Sequence, residues 1–262
     1  MKNKIIFLFS LAAMMIIFYA TLPDSRGKVV FCDVGQGEAM LASYKNIQIL
    51  VDTGPNNKKL GECLARQLPF WDRTIETVIL THGDSDHIGG LEDLMKAYKV
   101  GKFFSNGLLG KDVEQKIYSQ KLRQNDVVSN NLFEFEVVSP GQNNIYEIDD
   151  NINSLAGVLR YKPTGWSALL TGDIDVETEQ RLVWRQILKG EIEALKISHH
   201  GSDSGTSEEL LDWIKPTTAI ISVGKGNRFG HPREEVIEKL EKRKIEIKRT
   251  DEKGDIVFMM ER

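Results

Sequence analysis

All five histidines of this 262-residue chain fall in three short clusters. The clusters are Thr-His-Gly-Asp-Ser-Asp-His at residues 81–87, His199-His200, and His231 before a proline. Asp84 and Asp86 alternate with the histidines of the first cluster, and Asp173 ends an apolar run that precedes the second. Imidazole and carboxylate groups together are the usual ligands of divalent metal ions. The pattern therefore predicts a metallohydrolase, whose fold has to bring three distant segments to one place.

The spacing inside the first cluster indicates two metal ions. His82, Asp84 and Asp86 alternate, so in an extended loop their side chains point to one side, whereas the adjacent His87 points elsewhere. One ion does not accommodate all four groups, but two do, with His82 and Asp84 on one and Asp86 and His87 on the other. Asp173 would then bridge the pair. Two ions roughly 3.5 to 4 Å apart hold a hydroxide nucleophile and stabilise the attacking and leaving oxygens.

Short β-rich runs and helical segments are interspersed along the chain. The predicted strands cover residues 28–33, 38–44, 47–52, 74–80, 100–104, 132–138, 155–161, 167–171, 192–198 and 217–223, with two closing strands. The predicted helices cover residues 58–68, 89–97, 113–122, 175–188, 206–214 and 232–242. This mixture predicts an α+β fold in which two sheets pack together with helices outside.

Several candidate ligands come at the carboxyl ends of the predicted strands. Asp52, His82, Asp173 and the His199-His200 pair each follow an apolar strand, so we expect their side chains to meet along one edge of the sheets. Taken singly, each carboxylate has a simpler explanation. Asp86 would cap the helix that begins nearby, and Asp52 or Asp173 would close a turn. A shared edge favours the metal site, because caps and turns do not need one.

The N-terminal segment predicts export from the cytoplasm. Lys2 and Lys4 precede an apolar run over residues 5–22, which has the length of a signal segment and about the minimum length of a spanning helix. Residues 1–23 are therefore predicted to be a signal peptide or a membrane anchor, and a poor cleavage site favours the anchor. The lysines would keep the N-terminus inside, leaving a hydrolase domain over residues 24–262 outside, anchored or secreted. The alternative is a buried core helix.

Charge and cysteine content set further limits. The net charge of −4 means that the surface as a whole does not attract polyanions, although a local patch around a metal still does. Cys32 and Cys63 are too few for a disulfide framework. We expect two buried free thiols, with pairing in an oxidising compartment as the alternative.

The candidate ligands lie in motifs that resemble a known family. The run over residues 81–90 resembles the second motif of the metallo-β-lactamase superfamily, with Asp52 in its first motif and Asp173 in its fourth. Residues 31–39, 195–202 and 227–232 resemble the extracytoplasmic β-lactamase-like domain of ComEC-type DNA-uptake proteins, although Glu38 replaces the usual aspartate. The resemblance covers about residues 28–260. It implies a four-layer αββα sandwich and a dinuclear site.

The resemblance, together with the spacing, also implies a set of site residues. The expected metal ligands are His82, Asp84, Asp86, His87, Asp173, His200 and His231, with His199 either a ligand or a proton donor. Asp33, Asp52 and Asn153 are expected to orient the ligands from behind. The chain departs from the superfamily in having Asp84 where a histidine is usual, and only amides and a hydroxyl at residues 151–154. The extra carboxylate makes Mn²⁺ or Mg²⁺ a stronger competitor of Zn²⁺.

The reaction that we expect is phosphodiester hydrolysis. Asp86 would hold the hydroxide nucleophile, and His199 or His231 would protonate the departing alkoxide. The residues expected to bind the non-bridging phosphate oxygens are Lys196, Ser202 and Arg228, although each is simply solvated in the alternative. The substrate would be a nucleic acid or a small phosphodiester, and no protein partner is predicted.

Two other classes of function stay open. The superfamily also permits a lactamase or lactonase that acts on a small cyclic amide or ester. The other alternative is a non-catalytic binding module that keeps its metals for structure. Metal ligands are present at nearly every motif, which disfavours this alternative.

Overall fold

The computed structural model describes residues 5–7, 9–11, 14–15, 26–142 and 151–260. The strands of the first sheet are β1 (Gly27–Phe31), β2 (Met40–Tyr44), β3 (Ile47–Val51), β4 (Thr74–Leu80), β5 (Lys99–Ser105), β6 (Ser119–Lys121) and β14 (Ile256–Met260). Those of the second sheet are β7 (Val127–Ser129), β8 (Phe133–Ser139), β9 (Ala156–Tyr161), β10 (Ser167–Leu170), β11 (Ala194–Lys196), β12 (Thr218–Ile221) and β13 (Glu246–Arg249).

Each sheet has seven strands, antiparallel on one side and parallel on the other. The first has the order β14-β1-β2-β3-β4-β5-β6, with β3 to β6 parallel. The second has the order β13-β12-β11-β10-β9-β8-β7, with β10 to β13 parallel. Because parallel strands begin at one edge of a sheet and end at the other, the loops after them share one edge. We call this edge, where the parallel strands end, the carboxyl edge.

The central core lies between the two sheets. Phe31 and Met40 of the first sheet and Phe135, Tyr161 and Leu170 of the second are buried in one apolar cluster. Side chains of a strand alternate between its two faces, so the opposite face of each sheet is left to be covered by helices.

Helices cover both outer faces. They are α1 (Lys59–Gln67), α2 (Ser85–Ile88), α3 (Leu91–Ala97), α4 (Lys111–Glu114), α5 (Val176–Trp184), α6 (Glu208–Ile214), α7 (Glu234–Lys242) and α8 (Thr250–Lys253). Leu64 and Leu94 of α1 and α3 pack with the outer face of the first sheet. Leu182, Leu211 and Leu240 of α5, α6 and α7 pack with that of the second. The predicted αββα sandwich is confirmed.

One predicted helix is wrong. The helical pattern over residues 113–122 predicts a helix, but α4 ends at Glu114 and residues 119–121 form strand β6. Ser119 pairs with Phe103 of β5, and its hydroxyl lies 2.8 Å from that of Ser105. Pairing with the sheet edge therefore overrides local helix propensity here. The short strand β7 was also not predicted.

The expectation of free thiols is wrong as well. Cys32, directly after β1, and Cys63, within α1, form a disulfide, and their Cα atoms lie 5.9 Å apart. Both side chains are fully buried. Helix α1 packs on the outer face of the first sheet, which brings together two cysteines that the sequence alone does not show to be neighbours.

The predicted signal peptide or anchor falls largely outside the described residues. Of residues 1–23, the structure describes residues 5–7, 9–11 and 14–15, which are helical and exposed. Within the described part of the chain, no helix has both the length and the hydrophobicity needed to cross a membrane. The domain boundary at residue 24 stays a prediction.

Candidate metal centre

The candidate ligands meet at the carboxyl edge, between the two sheets. Asp52 follows β3 and His82 follows β4 in the first sheet, whereas Asp173 follows β10 and His200 follows β11 in the second. All four side chains are buried, with at most 3% of their surface exposed. His87 joins them from helix α2, which opens directly after the loop that holds His82. The two sheets therefore contribute to one cluster.

One group of ligand atoms is formed by His82, His87 and Asp173. One ligand atom from each of these residues lies within 4.8 Å of the others. The His87 Nε2 atom lies 3.3 Å from the Asp173 Oδ1 atom, and the His82 Nε2 atom lies 4.0 Å from the Asp173 Oδ2 atom. Asp84 borders this group with its Oδ2 atom 3.7 Å from the His82 Nε2 atom, and 45% of its side chain is exposed.

A second group shares His87 with the first. Asp86, His87 and His200 also bring their ligand atoms within 4.8 Å of one another. The His200 Nε2 atom lies 3.3 Å from the Asp86 Oδ2 atom and 3.3 Å from the His87 Nε2 atom. It also lies 3.6 Å from the Asp173 Oδ2 atom. Asp173 therefore lies between the two groups, where one carboxylate can reach both.

The donor atoms in the cluster fit divalent cations. The carbonyl of Ser222 accepts a hydrogen bond of 2.8 Å from the Nδ1 atom of His200, so the Nε2 lone pair of that ring points into the cluster. Among the described residues, the buried His82 Nε2 and Asp173 Oδ1 atoms have no hydrogen-bond partner. Buried polar atoms are normally paired, and metal ligation would satisfy both.

Asp52 holds His87 in place from behind. Its Oδ2 atom lies 2.7 Å from the His87 Nδ1 atom and accepts a hydrogen bond from the Thr81 hydroxyl. Its Oδ1 atom accepts one from the Thr81 backbone N–H group. Asp52 itself adopts a left-handed backbone conformation, with φ of 57°. The carboxylate is thus committed to fixing the His87 ring, whose Nε2 atom then faces the cluster.

Burial and neighbouring charges shift the pKa values of the groups in the cluster. Burial alone would raise the pKa of Asp86, but the hydrogen bond with His200 and the charges of His87 and His200 lower it to about 2. Burial also opposes ionisation of Asp173, yet the charges of His87 and His200 hold its pKa well below its ordinary value. For His87, the charges of Asp173 and Asp52 outweigh burial and raise the pKa. The nearby His82 ring lowers the pKa of Asp84.

His199 and His231 lie at the outer margin of the cluster. Within the described residues, the groups with ligand atoms inside 4.8 Å contain neither of them. The His199 Nε2 atom lies 3.8 Å from the Asp173 Oδ2 atom, and 30% of its side chain is exposed. Its Nδ1 atom lies 2.9 Å from the Ser204 hydroxyl. The ring of His231 lies 5.9 Å from that of His199, and burial lowers the pKa of both.

The turn that carries the histidine pair has an unusual backbone. Residues Ser198–Gly201 form a short 3₁₀ turn in which His199 and His200 have φ of 47° and 55°. Two adjacent non-glycine residues in the left-handed region cost free energy, and such strain concentrates at functional sites. The turn directs His200 into the cluster while leaving His199 partly exposed.

Lys196 does not face the substrate side. Its side chain is fully buried, and its ammonium lies 2.7 Å from the Glu38 carboxylate and donates to the carbonyl of Ile197. This corrects the prediction that Lys196 binds substrate oxygens, because its charge is used inside the protein. Glu38 in turn brings its carboxylate within 4.8 Å of ligand atoms of Asp52 and His87. The sequence did not single out this position as part of the site, although Glu38 follows a Gly-Gln-Gly turn.

Three other predicted residues make contacts outside the two ligand groups. Asp33 accepts hydrogen bonds from the Lys59 ammonium and the Gly35 N–H group, which corrects the prediction that it orients a histidine. The Ser202 hydroxyl donates to Asp203 and accepts from Ser204, so its bonds stay within one turn. The backbone carbonyl of the buried Asn153 accepts a hydrogen bond from the side chain of Asn106.

Arg228 lies in the exposed loop that leads to His231. Its guanidinium stands 5.1 Å from the centre of the Phe229 ring, and 46% of Phe229 is exposed. Phe229 stacks on His231 with the ring planes 27° apart. A cation and an aromatic ring are therefore presented to solvent beside the outer histidines. The sequence flagged Arg228 and His231 but not Phe229.

Comparisons with known proteins point to one superfamily. Residues 32–111 match the model of the metallo-beta-lactamase superfamily. ComE operon protein 3 of Bacillus subtilis is 32% identical over 94% of this chain and 34% of its own length. Recombination protein 2 of Haemophilus influenzae is 31% identical over 92% of this chain and 30% of its own length. The chain thus spans about a third of the length of these curated relatives.

Solved structures share the fold at low sequence identity. The metallo-beta-lactamase fold protein YhfI from Bacillus subtilis has a TM-score of 0.61 at 12% identity, covering 89% of this chain and 99% of its own. A diphosphatase of the PhnP family has a TM-score of 0.54 at 15% identity, covering 89% and 98%. At such identities, the likeness shows the fold alone.

Proposed function

We propose that this chain, which belongs to the metallo-β-lactamase superfamily, is a metal-dependent phosphodiesterase. Its curated relatives are ComEC-type competence proteins. The observation that carries the proposal is the pair of ligand groups that share His87, with Asp173 between them. Such an arrangement suits two cations at short separation, and two-metal sites are common in phosphatases and nucleases.

The chain's own residues divide into two metal-binding sets. One ion would be held by His82, His87 and Asp173, with Asp84 at its exposed side. The second position is lined by Asp86, His87 and His200. Since one imidazole nitrogen binds one ion, His87 would serve one position while Asp173 spans both. When bound, divalent ions lower the pKa of water and neutralise charge that develops on a phosphoryl oxygen. The mixed carboxylate and imidazole donors suit Zn²⁺ or Mn²⁺.

His199 is the candidate proton donor to the leaving group. It lies beside the cluster and is partly exposed, and the Ser204 hydroxyl fixes the orientation of its ring. Because burial lowers its pKa, its protonated form is a stronger acid than an ordinary imidazolium. Asp173, 3.8 Å from its Nε2 atom, supplies the negative charge that favours this protonated form. His231 stands behind it and is the alternative donor.

The exposed Arg228 and Phe229 support a phosphodiester with an aromatic group as substrate. An arginine pairs well with phosphate oxygens, and an exposed aromatic ring stacks on a nucleobase. Both lie on the loop that ends at His231, beside the proposed proton donors. The competence relatives are consistent with a phosphoester substrate. A nucleic acid or a nucleotide therefore fits better than a small cyclic amide or ester.

The proposal is tested by comparing phosphodiester hydrolysis by a ligand variant with that by a control variant. We expect the purified chain, supplied with Mn²⁺ or Zn²⁺, to hydrolyse bis-p-nitrophenyl phosphate and single-stranded DNA. Asp86→Ala is expected to reduce turnover at least a hundredfold, whereas Asp93→Ala, at an exposed position on α3, is expected to leave it unchanged. Elemental analysis should find fewer bound ions in Asp86→Ala than in Asp93→Ala.

Other outcomes identify the other classes. Faster turnover of nitrocefin or an acyl-homoserine lactone than of any phosphodiester would favour the lactamase or lactonase alternative. Bound metal without hydrolysis of either class would indicate a binding module. Activity that survives removal of all metal by a chelator would contradict the proposal.

We also propose that the protein works outside the cytoplasm, anchored or secreted. The buried Cys32–Cys63 disulfide supports an oxidising compartment, since such bonds are rare in the cytosol. The apolar N-terminal sequence at residues 5–22 also supports export from the cytoplasm.

A further inference from the structure

The edge of the molecule opposite the metal centre has its own chemical character. Apart from the short β6, which starts beside Phe103 near the end of β5, the parallel strands begin at the edge opposite the carboxyl edge. The turns that lead into them therefore form one surface. We call this surface the basal face. It consists of residues 45–46, 69–73, 98–99, 161–166, 189–193, 215–217 and 244–245.

Every one of these turns carries an exposed cation. The cations are Lys45, Arg73, Lys99, Lys162, Lys189, Lys215 and Lys244. The acidic groups beside them are fewer. Glu191 and Glu246 are exposed, Glu193 is half-buried and accepts hydrogen bonds from Ser167, and Glu134 lies 3.8 Å from Lys162. Asp72 is buried and accepts a hydrogen bond from the Gln48 side chain. A chain with a net charge of −4 thus presents a positive surface at this end, which the overall charge conceals.

Two large apolar side chains project from the same face. Phe70 and Trp71 are 68% and 47% exposed in the turn between α1 and β4. The Lys28 ammonium donates to the carbonyl of Gln67 at the end of α1, so the first strand starts next to this turn. The apolar sequence of residues 5–22 therefore joins the folded domain at the basal face, through Gly27.

We propose that the basal face docks on an anionic lipid surface. Cations near such a surface are attracted to anionic headgroups, and tryptophan is favoured at the boundary between headgroups and acyl chains. Phe70 and Trp71 supply the apolar contact, the seven cations supply the charge, and the adjoining apolar sequence brings the face to the membrane. Docking in this orientation turns the carboxyl edge, and the metal centre with it, away from the lipid. The proposal does not depend on hydrolysis.

Lipid-dependent quenching of Trp71 tests the docking. The full chain is mixed with vesicles of phosphatidylcholine, with or without 30% phosphatidylglycerol, that carry brominated acyl chains. We expect stronger tryptophan quenching on the anionic vesicles, loss of that difference in Trp71→Phe, and its reversal by 0.5 M NaCl. In the basal variant K45E/R73E/K99E/K162E, affinity for anionic vesicles should fall more than a hundredfold, at roughly fivefold for each cation removed.

A charge-matched control separates position from net charge. The variant K58E/K111E/K116E/K253E reverses four exposed lysines in the short helices and loops toward the carboxyl edge, and it should keep the quenching. Equal quenching on neutral and anionic vesicles, or equal losses in the two quadruple variants, would overturn the proposal. So would a basal variant that loses binding to a short single-stranded oligonucleotide but keeps vesicle quenching, because the face would then bind nucleic acid.

Discussion

At the scale of single residues, His87 links the two halves of the metal centre. Its Nδ1 atom is held 2.7 Å from Asp52, and its Nε2 atom lies 3.3 Å from both Asp173 and His200. In the metal-free protein, the charges of Asp173 and Asp52 outweigh burial and raise its pKa above the ordinary value of 6.5. A metal ion at this position has to displace the proton that those carboxylates stabilise.

Metal affinity should therefore rise with pH. We expect the association constant for Zn²⁺ or Mn²⁺ to increase roughly tenfold per pH unit above pH 6 while one proton is released per His87. The stability that protonated His87 gives the metal-free fold is fully present below pH 6.5 and is lost as pH rises through its folded pKa. Calorimetric titration in buffers of different ionisation enthalpy counts the protons. A pH-independent affinity with no proton release would contradict this.

The buried pair of Glu38 and Lys196 should matter for stability rather than for substrate binding. Removing one partner leaves the other charge buried without compensation, which typically costs about 3 to 5 kcal/mol. We expect Glu38→Gln and Lys196→Met each to lower the free energy of unfolding by about that amount, and the double variant to lose less than the sum. Urea unfolding of the four proteins measures the coupling. Additive losses would show that the two groups do not interact.

Sequence reasoning identified the ligand-type residues better than their supporting contacts. His82, Asp86, His87, Asp173 and His200 are chemically suited to metals, and the structure brings them together. The role of Lys196 was mistaken because a lysine beside a histidine motif looks the same in sequence whether it faces solvent or Glu38. Partners so far apart along the chain are set by tertiary packing, and no local pattern reports them.

At the scale of elements, the loop between β1 and β2 shapes the loop that carries the first histidines. The Glu38 N–H group donates to the carbonyl of Asp86 at 3.1 Å. Gly37 has φ of 140°, and a Cβ atom there would lie 2.2 Å from that carbonyl oxygen. The glycine thus lets two backbones approach closely, and this contact fixes the position of Asp86.

A side chain at this glycine should displace Asp86. We expect Gly37→Ala to lower turnover in the proposed phosphodiesterase reaction by about a hundredfold, since a shift of about 1 Å in a catalytic group has an effect of that size. Gly61→Ala, in α1 with open space around it, is the control and should keep full turnover. Steady-state kinetics and metal content of the two variants measure the difference. Unchanged turnover in Gly37→Ala would show that the contact does not position Asp86.

Strands of strong hydrophobic character were predicted within a residue or two, and short elements were not. The central strands β3 and β4 have a dense apolar sequence, so their bounds follow from composition. Strand β6 contains only Ser119, Gln120 and Lys121, and it forms because the backbone of β5 is available for pairing with it. Its sequence has no β signal of its own, which is why a helix was predicted there.

At the scale of the whole molecule, the disulfide ties the first sheet to its covering helix. Cys32 and Cys63 are 31 residues apart, and closing a loop of that size stabilises a fold by about 3 to 4 kcal/mol in the chain-entropy model. We expect the free energy of unfolding of the variant C32A/C63A, measured by urea unfolding, to be lower by about that amount. Dithiothreitol should lower the stability of the parent protein and leave the variant unchanged. Equal sensitivity of both would show that the bond does not stabilise the fold.

The sandwich itself was predictable, whereas the covalent link was not. Interspersed strands and helices, together with motif order, implied four layers, and the structure has them. The pairing of Cys32 and Cys63 depends on where α1 lies on the sheet. That position follows from packing of the assembled layers, which the spacing of two cysteines does not encode.

The donors of the metal centre are divided between the two sheets, and this has a consequence for when activity can arise. His82, Asp86 and His87 are synthesised first, while Asp173 and His200 come from the later half of the chain. A nascent polypeptide therefore lacks the complete set of metal ligands until most of it has been translated and folded. If the chain is translocated unfolded, the proposed hydrolytic activity would be absent inside the cell and would arise only after folding on the other side of the membrane.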